Sequence, residues 1–207
     1  MPITRRQIAA AAALVISGTP FAPAFGKRRA DGTVIKVRAV KGSVTGTLRF
    51  GGRDYACALG RTGIVHPKHE GDGGTPSGIY PLREVRYRPD RIAKPKTGLV
   101  VVESNSTDGW CDDPADVAYN RLVRLPYPRD AEVMWRDDHV YDLQAVIGYN
   151  DVPPVPGAGS AIFLHVARAD AGGNLLPTAG CVAMRLDDLR TVLAACKPGT
   201  MIDIGTI

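Results

Sequence analysis

The sequence of 207 residues lacks a long hydrophobic run beyond its N-terminal segment, so no stretch approaches the about 20 apolar residues that span a bilayer. It also lacks a strong charge imbalance: the formal net charge is only +5, which does not suggest nucleic-acid binding. No internal repeat is present, which excludes solenoids and propellers. What is present is a hydrophobic fraction of 44%, enough for a packed core, with 23 glycines and 16 prolines that favour turn-rich β structure over a helical bundle.

The N-terminal segment has the pattern of an export signal. Arg5 and Arg6 precede an uncharged, alanine-rich stretch that ends in the small residues Ala22-Pro23-Ala24. Paired arginines before a mildly apolar segment indicate a twin-arginine signal. The alternative, an amphipathic helix of the folded domain, needs a polar face, which residues 8–16 lack.

These features predict the organisation of the chain. We expect residues 1–24 to be a signal peptide, 25–32 a mobile arm, and 33–207 one folded domain. Signal removal takes away two arginines and no acid, so the net charge falls from +5 to +3. The expected location is the periplasm, with no membrane span after signal removal.

Cysteine is scarce, with four residues in the chain. In an oxidising compartment four cysteines allow up to two disulfides, but a cysteine that works as a nucleophile has to stay free. Cys196 lies on the apolar stripe of a predicted helix and is interpreted as a core thiol. Cys57 with Cys111 is the one disulfide that we consider.

Hydrophobic periodicity predicts a mainly β domain with one C-terminal amphipathic helix. The predicted strands are Thr33–Val40, Val44–Phe50, Arg53–Leu59, Ile79–Tyr87, Thr97–Glu103, Val140–Gly148, Ser160–Ala167 and Met201–Ile204. Gly51-Gly52 predicts a two-residue hairpin turn. The apolar stripe of the helix consists of Leu186, Leu189, Val192, Leu193 and Cys196. Residues 105–138 are polar and irregular, which predicts a long insertion or a lid.

Two residues could carry chemistry together. His165 lies in a strongly apolar strand, where it is either a core histidine bonded to a backbone carbonyl or a base with a partner. Cys181 follows 16 residues later in the turn Pro177–Val182, whose small residues leave the sulfur reachable and whose amides can stabilise a thiolate or an oxyanion. A thiol with an imidazole base is the minimum equipment for acyl transfer through a thioester.

At these residues the sequence resembles the L,D-transpeptidase catalytic-domain family (YkuD-like) of bacterial cell-wall enzymes. Its signature is a histidine at the end of an apolar strand, followed by a Ser/Thr-x-Gly-Cys turn, here His165 and Thr178-Ala179-Gly180-Cys181. A second mark is the glycine-rich turn that reads Gly74-Thr75-Pro76-Ser77-Gly78-Ile79-Tyr80, and a third is the pair Leu59-Gly60. Three marks in this order are far more specific than any one.

The resemblance implies an L,D-transpeptidase-like β-sandwich over residues 33–207, with Cys181 as nucleophile and His165 as proton acceptor and donor. It implies a backbone carbonyl as the partner of the imidazole, and the Gly180 and Cys181 amides of the Thr178 turn as oxyanion donors. It requires no metal or organic cofactor. The implied partners are peptidoglycan stem peptides, and carbapenems are expected to acylate Cys181.

The sequence departs from the family pattern beside the nucleophile. Ala179 stands where many members have histidine, and Val182-Ala183-Met184 follows the cysteine where many have Ile or Val and then Arg or Asn. That arginine could orient a substrate carboxylate, so its loss bears on the substrate. Arg168 and Arg185 are candidate replacements.

Other polar residues leave alternatives open. His66 and His69 could ligate a metal with nearby carboxylates, but Pro67 and the adjacent glycines favour a solvated loop. Lys68 or His69 could instead face a substrate. The segment 110–113 and the pair Tyr149-Asn150 are candidates to line a cleft, although packing is the expected role of their aromatic rings.

We therefore expect an exported cysteine acyltransferase that attacks the L-to-D peptide bond of a donor stem, expels a terminal D-amino acid and passes the acyl group to an acceptor amine. One alternative is a hydrolase, either an L,D-carboxypeptidase or an amidase, in which water resolves the same thioester. A second is a non-catalytic wall-binding module, and a third is a metallohydrolase that uses His66 and His69.

Overall fold

A computed structural model describes residues 33–207, so the predicted signal peptide and arm lie outside the described residues. The described part is mainly β with one helix. Its strands are β1 (Val34–Ala39), β2 (Thr45–Phe50), β3 (Arg53–Ala58), β4 (Ile64–Val65), β5 (Thr75–Pro76), β6 (Gly78–Tyr87), β7 (Val100–Glu103), β8 (Asp108–Cys111), β9 (Leu122–Arg124), β10 (Ala131–Val133), β11 (Leu143–Ile147), β12 (Phe163–Val166), β13 (Val182–Met184) and β14 (Met201–Thr206), and the helix is α1 (Leu186–Ala195).

The predicted elements are present, with ends that shift by up to three residues. Gly51 and Gly52 both have positive φ, 57° and 77°, as the two-residue turn between β2 and β3 requires. The strand predicted from Thr97 begins only at Val100 because the Thr97 hydroxyl accepts the Leu99 N–H in a local turn. Strand β13, which is only three residues long, was not predicted.

Nine strands form one mixed sheet that closes on itself. Its order is β11-β12-β13-β3-β2-β1-β14-β6-β7, and β11 also pairs with β6, so eight strands form a ring to which β7 is added. The closure depends on the length of β6: residues Gly78–Pro81 pair with β14, whereas Leu82–Tyr87 pair with β11.

The main core lies inside this ring. Every strand of the ring contributes side chains to one buried cluster, and α1 adds Leu189, Val192 and Leu193. Alternation along β12 separates the two faces: Leu164 belongs to the inner cluster, whereas Phe163 belongs to a second cluster outside the ring. His165 therefore shares the outer face with Phe163.

The polar segment predicted as irregular carries a small sheet of its own. Strands β8, β9 and β10 pair in the order β10-β8-β9. Sequence periodicity missed them because each spans only three or four residues, too few for an alternating pattern. The segment is fixed to the outer face by the ion pair of Arg86 with Asp108 (2.8 Å) and by the edge-to-face contact of Trp110 with Phe163 (centroids 5.1 Å apart). It therefore covers the face that carries His165.

The disulfide that we considered does not form. All four cysteines are free and buried. Cys57 belongs to the cluster inside the ring, whereas Cys111 lies on β8 of the outer sheet, so the two thiols are on different sides of the β-sheet wall. Cys196 packs in the main core, as the helical stripe predicted. Within residues 33–207, no helix is both long and apolar enough to cross a membrane.

Candidate active site

The three sequence motifs meet around the cysteine turn. The Thr178 N–H donates to the Leu59 carbonyl (2.9 Å), which ties the turn to the end of β3. The Gly60 N–H donates to the hydroxyl of Thr75 (2.8 Å), and that hydroxyl in turn contacts the Cys181 carbonyl (3.4 Å). A Cβ at Gly60 would lie 2.3 Å from the carbonyl oxygen of Gly73, directly before the glycine-rich turn, so only glycine permits this close approach.

A side-chain clamp holds the turn itself. The Thr178 hydroxyl donates to the Cys181 carbonyl (2.7 Å) and accepts the Gly180 N–H (3.1 Å). A Cβ at Gly180 would lie 2.9 Å from the carbonyl oxygen of Gly74, so these two glycine backbones pack against each other. The Gly180 amide, which the family resemblance assigns to the oxyanion, is thus bonded within the turn in this structure.

The sulfur of Cys181 has two backbone neighbours. The Phe163 N–H donates to Sγ (3.3 Å), and the S–H donates to the Ala161 carbonyl (3.3 Å), an arrangement that requires the protonated thiol. The pKa of Cys181 is raised to about 12, chiefly by burial and to a smaller extent by the charge of Glu132. The Phe163 N–H and the charge of Lys68 act in the opposite direction.

Strand pairing brings His165 to the same face as Cys181. Strands β12 and β13 are parallel, with His165 opposite Ala183, so Cys181 lies at the start of the neighbouring strand. The imidazole Nδ1 lies 2.8 Å from the Val166 carbonyl, to which it donates, so Nε2 is the nitrogen left to accept a proton. The ring of Tyr141 packs edge-to-face on the imidazole, with centroids 5.4 Å apart.

The two groups are neutral in the resting protein. Burial lowers the pKa of His165 to about 4, even though the Val166 carbonyl favours the charged form. Burial raises the pKa of Cys181 to about 12. Between these values the site holds a thiol and an imidazole, so the imidazole can act as a general base while the thiol attacks a carbonyl.

Both groups line one cavity of about 270 Å³. Its walls come from four parts of the chain: the segment that contains Lys68 and Glu70, the insertion, the end of β12, and the cysteine turn. The side chains that line it besides Cys181 and His165 include Arg61, Lys68, Glu70, Asp112, Glu132, Arg136, Asp138, Tyr141, Ser160 and Arg168. A cavity with charged groups of both signs around a thiol is suited to a polar, charged ligand.

The cations of the cavity differ in how firmly they are held. The side chain of Lys68 is 4% exposed and forms an ion pair with Asp72 (2.7 Å). The Arg136 guanidinium is paired with Asp138 (2.7 Å). Arg168 is exposed at the cavity wall and has no ion-pair partner among residues 33–207, so its charge is free for a bound anion.

Glu132 is the carboxylate whose charge acts on the thiol of Cys181. It accepts a hydrogen bond from the hydroxyl of Tyr141 (2.5 Å), the residue whose ring packs on His165. Burial raises the pKa of Glu132, and the Tyr141 hydrogen bond opposes that shift. No cation of the described residues forms an ion pair with Glu132, so it can receive a positively charged group.

Several predicted residues lie away from the cavity. Arg185 donates to the Gly173 carbonyl (2.6 Å) and does not line the cavity, unlike Arg168. Tyr149 donates to the Ala158 carbonyl, and the Asn150 amide donates to the Gly159 carbonyl (2.8 Å). Tyr149 and Asn150 therefore hold the loop before β12 instead of facing the cavity, because their polar atoms are used by the loop backbone.

The two histidines considered as metal ligands also lie outside the cavity. His66 and His69 are exposed and do not line the cavity, whereas Lys68 between them does. Across the described part of the chain, no group of three or more His, Cys, Asp or Glu side chains is arranged to hold a metal ion.

Sequence reasoning missed Glu132, Arg136 and Tyr141. No motif marks them, and the insertion brings Glu132 to a cysteine 49 positions later in the chain only through the folded structure. Asp112 belongs to a segment considered for a cleft, and it does line the cavity. Its neighbour Trp110 packs on Phe163 instead, as expected for its ring.

Comparison with known proteins shows the family of the chain. The family model of the L,D-transpeptidase catalytic domain matches residues 37–204. A structure of L,D-transpeptidase 1 from Mycobacterium tuberculosis is similar at 12% identity and a TM-score of 0.35; the match covers 84% of this chain and 62% of that one. No curated protein sequence matches significantly. The matched region contains the histidine, the cysteine turn and both glycine motifs, and the chain belongs to the L,D-transpeptidase catalytic-domain (YkuD) family.

Proposed function

We propose that the protein is an exported cysteine acyltransferase that forms L,D cross-links between peptidoglycan stem peptides through a thioester on Cys181. The family supports a peptidoglycan transpeptidase-type function. The observation that carries the finer proposal is the cavity that Cys181 shares with His165, whose Nδ1 is held by the Val166 carbonyl so that Nε2 can accept a proton.

The proposed first half-reaction forms the thioester. Nε2 of His165 accepts the S–H proton while the sulfur of Cys181 bonds to the carbonyl carbon of the L-residue in an L-to-D bond. The C–N bond then breaks, and the imidazolium returns the proton to the leaving amine of the D-residue. The high pKa of the thiol and the low pKa of the imidazole fit a proton that moves only during the attack.

The second half-reaction transfers the acyl group. An acceptor amine attacks the thioester carbon, the C–S bond breaks, and the amine proton passes through His165 to the departing sulfur. At neutral pH a free amine is an ammonium ion, and we propose that Glu132 binds it beside the sulfur and accepts one of its protons, so that the neutral amine attacks. Arg168, whose charge has no ion-pair partner among residues 33–207, would bind a carboxylate of a stem, since arginine recognises such groups.

Hydrolysis of the same thioester would make the protein a carboxypeptidase or an amidase. The unpaired carboxylate of Glu132 beside Cys181 favours amine transfer, because a negative charge attracts an ammonium ion more strongly than it attracts neutral water. A wall-binding module would need neither a held imidazole nor a reachable thiol.

The test incubates the full chain with purified disaccharide-tetrapeptide and analyses the products by mass spectrometry. We expect an acyl adduct on Cys181 and a cross-linked dimer. The Cys181→Ala variant should fold with an unchanged Tm and give neither product. The control Cys57→Ala, which removes a buried thiol inside the ring, should keep both products. Products from Cys181→Ala would rule out the mechanism.

The location is tested separately. We propose export to the periplasm because the first 24 residues have the pattern of a twin-arginine signal. Residues 1–32 fused to a reporter that is active only after export should give signal. Replacing Arg5 and Arg6 with lysine should abolish it, and a reporter that stays inside the cell with the native residues would contradict the proposal.

A further inference from the structure

Gln144 occupies an unusual place behind the candidate site. Its side chain is fully buried, and neither its Nε2 nor its Oε1 has a hydrogen-bond partner among residues 33–207. Burying an unsatisfied amide destabilises a folded protein, and an apolar side chain of similar size would avoid that loss. The structure thus gives Gln144 no stabilising role, so another reason for an amide at this position is needed.

Strand register supplies that reason. Gln144 on β11 is directly opposite His165 on β12 in an antiparallel pair, so their side chains lie side by side on the outer face. On its other side Gln144 is opposite Arg86 of β6, which is also buried and whose Nε likewise has no partner among the described residues. The amide therefore lies between the imidazole and a buried guanidinium.

The surroundings of His165 leave its positive charge poorly compensated. Tyr141 covers the ring, and the charged groups that act on it from the neighbouring elements are Arg136, Asp138 and Arg168. Two of these three are cations, which oppose a positive charge on the imidazole. A freely oriented carbonyl dipole next to the ring would favour the imidazolium when it forms.

We propose that Gln144 is a positioning residue for His165, which orients its amide oxygen toward the imidazole as the ring takes the proton of Cys181. The amide is unbonded in the resting state and can turn toward the charge when it appears. The free energy lost by burying the Gln144 amide without a partner would thus be offset by a more reactive Cys181 thiol. The inference rests on the proposed role of His165 as general base.

The test measures iodoacetamide alkylation of Cys181 in the full chain, followed by peptide mass spectrometry across pH 5 to 10. For Gln144→Met we expect a Tm equal to or above that of the wild type and an alkylation rate near pH 7 lower by about tenfold or more, the typical effect of losing a hydrogen bond to a charged group. The control Ser104→Ala removes a buried hydroxyl that also lacks a partner among residues 33–207, directly after β7, and should leave the rate unchanged.

Unchanged alkylation in Gln144→Met would overturn the proposal, and so would a lower Tm with a proportionate loss of folded protein, which would make the role structural. If the Met variant does not fold, Gln144→Glu is examined by NMR titration of labelled histidine. A carboxylate beside the ring should raise the pKa of His165 above its wild-type value of about 4. An unmoved titration would equally overturn the proposal.

The alkylation experiment uses no peptidoglycan, so its result together with the cross-linking assay separates the role of Gln144 from the proposed function. A Gln144-dependent thiol in a protein that gives no cross-linked product would refute the proposed substrate and keep the inference. Cross-linking that is normal in Gln144→Met would refute the inference and keep the proposed function.

Discussion

Replacing His165 with glutamine should change how the reactivity of Cys181 depends on pH. An exposed thiol with a pKa near 8.5 is about one-tenth ionised at pH 7.5. Burial raises the pKa of Cys181 to about 12, at which only about 3 in 100,000 thiols are ionised at that pH. Free thiolate is thus roughly 3,000-fold scarcer than in an exposed cysteine, so alkylation without a base should be slow.

The pKa values of the two groups predict the shape of both profiles. The pair of neutral thiol and neutral imidazole keeps a constant population between about 4 and about 12, so the wild-type rate should be nearly flat from pH 5 to 10. Without the imidazole, the rate should follow the thiolate and rise tenfold for each pH unit. Near pH 7 the His165→Gln variant should be slower by about a hundredfold, the typical contribution of a general base.

The assay is the iodoacetamide rate of the Cys181 peptide, read by mass spectrometry so that the other three cysteines do not contribute. Cys196 serves as an internal control, since its thiol is buried in the main core, away from His165, and should respond equally in both proteins. Superimposable profiles for Cys181 in the two proteins would refute the reasoning and make His165 a core histidine.

Three further predictions use the same site. The pKa of His165 in the folded protein is about 4, below the usual 6.5, so the free energy of unfolding is highest above pH 6.5 and falls as pH drops toward 4. Chemical denaturation of His165→Gln should show a decrease over this range that is smaller by up to about 3 kcal/mol. Glu132→Gln should lower the ratio of aminolysis to hydrolysis by about tenfold without slowing alkylation of Cys181, because it removes a negative charge that opposes the thiolate; an unchanged product ratio would contradict the ammonium role. Arg168→Ala should raise KM for the stem peptide by about tenfold, whereas Arg185→Ala, which lies outside the cavity, should not; equal effects would argue against a carboxylate contact at Arg168.

The strands of the ring could be predicted because each has a face that packs inside. Val34–Ala39 alternates strictly between half-buried and buried residues, and that alternation is visible in the sequence. The closure of the ring could not be predicted, because the pairing of β11 with β6 joins segments about 60 residues apart and no local pattern encodes it. The strands of the insertion could not be predicted for a different reason: each has only three or four residues, too few to show an alternating pattern.

The candidate nucleophile could be found for a local reason. The turn at Cys181 needs glycine at position 180, because a Cβ there would meet the Gly74 carbonyl, and it needs the Thr178 hydroxyl, which donates to the Cys181 carbonyl. Adjacent residues in the sequence therefore determine the geometry of the turn. The residues that line the cavity are not fixed by their neighbours in the sequence in this way. A charge beside the sulfur can come from any segment that the fold brings there, as Lys68 and Glu132 do from two separate segments that both precede Cys181.

The surroundings of Ala183, which stands where many family members have Arg or Asn, bear on the departure after the cysteine. Ala183 is fully buried on β13, directly opposite His165, and its neighbours Val182 and Met184 belong to the core inside the ring. A long basic side chain at position 183 would have to be accommodated in a site without exposure to water, next to an imidazole whose positive charge it would oppose. For the proposed substrate, a cation would therefore come from another part of the cavity. Lys68 and Arg168 line the cavity from separate segments and leave the space beside the imidazole to Ala183 and Gln144.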